Sequence, residues 1–202
     1  LHTALAVYGC VLGYDLIADE MKDKELSELV KRIGLVEGMP VVTNPGIIDP
    51  EKFADEVINV RIPNPFMPDT PQRIATDTSQ KVGIRYGETI KSYVAKDGSA
   101  RALTAIPLAI AGWCRYLLGI DDNGEAFELS PDPMADELKC QLDGIVWGES
   151  SSYTGQLKNL LSNANIFGIN LYEAGIGDKI EEMFVEEISG KGAIRETLKK
   201  YL

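Results

Sequence analysis

The chain has 202 residues, is 45% hydrophobic and 25% charged, and carries a formal net charge of -11. A chain of this length buries a core without disulfide or metal staples and makes one large domain, or a domain and a fragment. Its acidity argues against a nucleic-acid phosphate backbone as partner, although local charge can still hold a small anion. The three cysteines, Cys10, Cys114 and Cys140, are odd in number and show no C-x-x-C spacing. They argue against a disulfide framework or zinc site and fit a reducing, cytoplasmic compartment. His2 is the only histidine, which leaves little material for a His-rich metal site or a Ser-His-Asp triad. The longest apolar stretch, Ala102 to Cys114, is too short for a membrane span. The start lacks the basic region of a signal peptide. It has no methionine and lies already inside an amphipathic pattern, so it reads as a fragment whose N-terminal part is missing.

Leu1 to about Ile33 is expected to be helical, as one helix or two. Leu5, Tyr8, Leu12, Leu16 and Ile17 recur at three- and four-residue steps, and Gly34 is a plausible stop. Asp49 caps a helix with Pro50 at its first position, and Phe53, Val57 and Val60 mark its buried stripe. "NVRIPNPF" reads as a brief extended segment. Thr70-Pro71 is a second cap-plus-proline start. That helix is expected to break at Gly83 and resume from Glu88 to Val94. "KDGS" is a turn. Ala102 to Leu118 is apolar almost all round and reads as the central buried helix, with Pro107 kinking it or marking its first turn. A surface loop, a helix over Ala135 to Val146 and a short one over Gln156 to Leu161 follow. A turn-rich connector leads to closing helices near Lys179 to Ile188 and Ala193 to Tyr201. The expected class is mainly α-helical with minor β.

The stretch "NPFMPDTPQRIATDTSQK" carries Arg73, Asp77 and Lys81 at four-residue spacing. On one helix they form either a surface ion-pair ladder or a basic site with Asp77 orienting Arg73 and Lys81. His2 is most simply a capping or surface residue, and Asn64, beside prolines, a turn residue. No G-x-G-x-x-G follows a strand, so no cofactor-binding residue is expected here. Glu125, Glu128, Asp132 and Asp136 read as a solvated acidic loop without calcium-site spacing, and no metal site is expected.

Three stretches resemble the C-terminal domain of the polyol-specific long-chain dehydrogenases. "LHTALAVYGCVLGYDLIADEM" looks like the end of the family's K-x-x-x-x-N-x-x-H active-site helix, with His2 at the histidine. "RIPNPFMPDTPQRIATDTSQK" is similar to its R-F-x-N-P segment followed by D-T-x-x-R-I and a lysine eight residues after the arginine. "NIFGINLYEAGIGDKIEEMF" is similar to its F-G-x-D-L and closing helices. The resemblance spans nearly the whole chain and is most specific in the middle.

The resemblance implies a multi-helix substrate domain, like the C-terminal domain of 6-phosphogluconate dehydrogenase, over residues 1–202. It implies that an N-terminal dinucleotide-binding domain of the same protein is a partner and is absent from this chain. The implied enzyme moves a hydride between NAD or NADP and a small polyol or sugar acid, interconverting mannitol with fructose or mannonate with fructuronate. His2 takes the histidine's part in holding the reacting oxygen. Arg73 and Lys81 line the substrate pocket, with Asn64, Asp69 and Asp77 as supporting residues; Arg85, four residues after Lys81, is either a surface charge or a further supporting basic group that meets a carboxylate or phosphate. The motif's lysine and asparagine would precede Leu1, so the fragment alone is expected to be inactive. A non-catalytic partner-binding domain and the mannitol-1-phosphate 5-dehydrogenase branch are the alternatives. Neither nucleic acid nor a membrane is an expected partner.

Overall fold

The computed structural model describes residues 1–202. Helix α1 (His2–Leu12) ends at Gly13, whose φ of 77° turns the chain into the left-handed region. The expected helix to Ile33 is therefore divided. Helix α2 (Ile17–Glu20) follows, and Asp23 then caps α3 (Lys24–Lys31) by accepting the Leu26 N–H. A π-helical turn (Arg32–Gly38) and a 3-10 turn (Met39–Val41) carry the coil past Gly34.

Helix α4 (Pro50–Glu56) starts on the Asp49 cap as the sequence indicates. Its inward face is not the expected one. Phe53 is 43% and Val60 61% exposed, whereas Ile58 and Ile62 are buried. The cause is a π-helical turn over Val57–Arg61, which widens the coil and shifts its inward register. The same turn replaces the extended segment expected at "NVRIPNPF".

Helices α5 (Pro71–Ile74) and α6 (Thr78–Val82) are separate, because Asp77 sits between them at φ 55°. It is the only non-glycine residue with positive φ. From α6 the chain coils without a break through a π-helical turn (Gly83–Gly87) into α7 (Glu88–Asp97). Gly83 is thus not a helix stop but a contact point. A Cβ there would lie 2.1 Å from the Ile166 carbonyl oxygen, and one at Gly87 would lie 1.9 Å from that of Phe167. The two glycines let a later backbone segment press directly on this coil.

Every residue of α8 (Ala105–Tyr116) is buried, with Pro107 in its first turn. The buried Glu37 carboxylate caps it, accepting the N–H groups of Thr104, Ala105 and Ile106 at 2.6–2.8 Å. Helix α9 (Ala135–Gln141) is shorter than expected. It is followed by α10 (Lys158–Leu161), α11 (Ala164–Phe167), α12 (Gly177–Glu187) and α13 (Ala193–Tyr201). The only β pairing is an antiparallel bridge between Ile120 and Ala126.

Helix α8 packs against α1 on one side and α12 on the other, and one continuous apolar cluster fills the space between them. The single basic residue in this run, Arg115, is fully buried and donates to the carbonyls of Glu187, Ile120 and Asp121. It ties the loop after α8 to the end of α12. No helix is long and apolar enough to cross a membrane.

Candidate active site

Five elements converge where α1 begins. Thr70 accepts the Arg73 N–H through its Oγ1 at 3.2 Å and starts α5, with Pro71 buried at the first position. Helix α5 then lies on α1. The loop before it is tied to α2 by a hydrogen bond from the Ile17 N–H to the Asp69 carbonyl at 2.9 Å. Helix α6 and the π-helical turn complete the wall. Between these elements lies a cleft of about 420 Å³, lined by Leu1, His2, Thr3, Asp69, Ile74, Lys81 and Arg85.

The cleft joins residues distant in the chain. His2 occupies the first position of α1, directly after the N-cap residue Leu1. Burial lowers its pKa, the Leu1 amine and Arg85 add to that shift and Asp69 opposes it, which favours the neutral imidazole. Lys81 donates to the carbonyls of Ile74 at 3.1 Å and Thr76 at 2.5 Å, which fixes its ammonium over the end of α5. Two of its three protons are thereby engaged.

Arg73 stands at the rim. Its guanidinium meets the Asp69 carboxylate at 2.7 Å and is 68% exposed, against 19% for Asp69. Asp69, not Asp77, orients Arg73. The left-handed backbone at Asp77 breaks the four-residue row, and Asp77 is exposed with its N–H on the Pro131 carbonyl. The structure places Asn64 outside the cleft wall, where its Oδ1 accepts the Phe66 N–H at 3.0 Å in a turn.

Two further acidic residues, Asp132 of the expected acidic loop and Glu20, have surroundings that the sequence did not indicate. Asp132 is not simply solvated. It accepts from the Ser79 N–H at 2.8 Å, from the Thr78 and Ser79 hydroxyls, and from the Met134 N–H, holding the start of α6 and so the base of Lys81. Glu20 is fully buried beside α1 and α5 with neither carboxylate oxygen bonded. Burial pushes its pKa up to about 9. Asp132, inside the proline-bounded "SPDP", had a local turn signal, whereas Glu20 had none. No cluster of His, Cys, Asp or Glu is arranged to hold a metal ion.

The cleft of this helical domain is thus lined by one histidine, two cations and one carboxylate, groups whose chemistry suits a polar or anionic small molecule. The chain belongs to the mannitol dehydrogenase C-terminal domain family, whose model matches residues 1–188. It is 56% identical over 201 residues to D-mannonate oxidoreductase of Thermotoga maritima, covering 99% of this chain and 37% of that protein. It is 31% identical over 138 residues to D-mannonate oxidoreductase of Escherichia coli, covering 68% of this chain and 27% of that one. Its fold matches the Pseudomonas fluorescens mannitol 2-dehydrogenase, solved with NAD and D-mannitol, at a TM-score of 0.83 and 22% identity. That match covers 98% of this chain and 38% of the other. The chain therefore matches between about a quarter and a little over a third of the length of these relatives.

Proposed function

We propose that residues 1–202 form the substrate half of an NAD(P)-dependent oxidoreductase. It interconverts a secondary alcohol of a polyol or aldonate with the ketone. The observation that carries this reading is the shared cleft of His2, Lys81 and Arg85, with the Asp69–Arg73 pair at its rim. The names of the relatives, mannitol dehydrogenases and D-mannonate oxidoreductases, support the substrate class.

In this reading His2, neutral and half-buried, holds the oxygen that becomes the carbonyl. Arg73 and Lys81 bind other hydroxyls of the substrate. Asp69 keeps Arg73 in one orientation, and the Ile74 and Thr76 carbonyls do the same for Lys81. A polyhydroxylated substrate needs several directed donors, and fixed donors lose little entropy on binding. The nicotinamide, when bound, accepts the hydride from the alcohol carbon. A further domain of the same protein would hold it and supply the base. Exposed apolar side chains between Val36 and Met67, among them Ile47 and Phe66 (92% exposed), favour a neighbouring domain there.

The test is a substrate panel on the full-length protein with NAD and NADP, comparing mannitol, mannonate and altronate. Turnover of at least one supports the reading, and turnover of none contradicts it. Residues 1–202 alone should neither bind the dinucleotide nor turn over.

A further inference from the structure

Arg85 is the one basic side chain of the cleft with neither a carboxylate nor a carbonyl partner. Arg73 is matched by Asp69 at 2.7 Å, and Lys81 is held on two carbonyls. Arg85 forms neither an ion pair nor a hydrogen bond. The acid within helical reach of it, Glu88, is already engaged by Lys91 at 2.5 Å. The Asp69 carboxylate is likewise engaged by Arg73. His2 adds no positive charge at neutral pH, because burial lowers its pKa. The cleft thus carries a net positive charge in a chain whose formal charge is -11, shared between the part-buried Lys81 ammonium and the exposed Arg85 guanidinium. Arg85 lines the same wall as Lys81, one helical turn further on, and its field reaches His2. A neutral polyol gains nothing from an uncompensated guanidinium that a hydroxyl or amide would not give it. A carboxylate gains a bidentate, charge-assisted pair.

We infer that Arg85 anchors the carboxylate of a sugar acid and selects that substrate class over neutral polyols. The inference rests on the oxidoreductase reading and deepens it. Arg85 sets which end of the chain molecule enters at the α6 wall. His2 then meets an alcohol carbon some distance from the carboxylate.

The test uses the full-length enzyme with saturating cofactor. Arg85→Gln and Arg85→Lys are compared with wild type on an aldonate and on a neutral hexitol. Arg85→Gln should raise the aldonate KM by roughly 10- to 100-fold, as loss of a hydrogen-bonded charge pair does. Cofactor affinity and hexitol turnover should hold within about threefold, and Arg85→Lys should recover part of the aldonate KM. An unchanged aldonate KM, or an equal loss on both substrates without lysine recovery, overturns the inference while leaving the oxidoreductase reading intact. A wild-type enzyme that oxidises neither substrate overturns that reading and this inference with it.

Discussion

Arg73 is paired with Asp69, the residue four before it, and not with Asp77, the residue four after it. The pairing lies at the mouth of the cleft that holds His2, so Asp69 touches both the rim and the interior. Because Arg73 is largely exposed, the pair itself contributes at most about 1 kcal/mol. Its value is in orientation. Asp69→Asn in the full-length enzyme should raise the substrate KM up to about fivefold, with kcat little changed. Arg73→Ala should cost more, roughly 10- to 100-fold in kcat/KM, without altering cofactor affinity. Unchanged kinetics for Arg73→Ala would return this arginine to the role of a surface ion pair.

Lys81 joins the end of α5 to α6 through two carbonyls. Lys81→Met should therefore act twice. It should lower the stability of residues 1–202 in urea by about 1 kcal/mol and raise the substrate KM of the full-length enzyme. A stability loss without a kinetic effect would make Lys81 a structural clamp only.

The coil from α6 to α7 meets the Ile166 and Phe167 carbonyls where Gly83 and Gly87 lack side chains. The neighbour is backbone, which cannot rotate away. Gly87→Ala should destabilise the domain by about 1–3 kcal/mol, as overpacking does, read by urea melts. A melt matching wild type would show that α11 lies further from the coil.

Two buried carboxylic acids give the fold a pH dependence of definite sign. Burial, with the Asp23 charge adding to it, pushes Glu20 up to about 9, and burial pushes Glu187 up to about 8. In the unfolded chain both titrate near 4.5. Across the window between these values the native state keeps protons that the unfolded state releases. Stability therefore falls as pH rises from about 5 to 8, by about 1.4 kcal/mol per pH unit for each retained proton. Glu20→Met should lessen that slope by about one proton and stabilise the domain at pH 8. Urea melts at pH 5 and 8 check this. Equal stability of the wild type at both would contradict it.

The helices with strong local signals were legible in the sequence. Asp49-Pro50 and Thr70-Pro71 both start helices, and the apolar run from Ala102 contains the buried α8. What escaped was set by backbone geometry that periodicity does not encode. The π turn at Val57–Arg61 moved the buried face from Phe53 and Val60 to Ile58 and Ile62. The left-handed Asp77 broke an apparent row of charges, and its partner role passed to Asp69. The buried polar contacts of Glu37, Arg115 and Glu187 join residues tens of positions apart, beyond any local pattern. For the cleft, spacing left Arg73 and Lys81 open between ladder and site. Family resemblance marked His2, and the fold then placed His2 and Lys81 on one cleft with Arg73 at its rim.

If this cleft holds the reacting alcohol, His2 touches the oxygen that becomes the carbonyl. The most direct measurement is the kcat of a His2→Ala variant of the full-length enzyme, at saturating NAD or NADP, alongside cofactor Kd. Removing a donor to the reacting oxygen should lower kcat about 100- to 1000-fold and leave cofactor Kd within twofold. A His2→Ala enzyme with wild-type kcat would place the chemistry elsewhere.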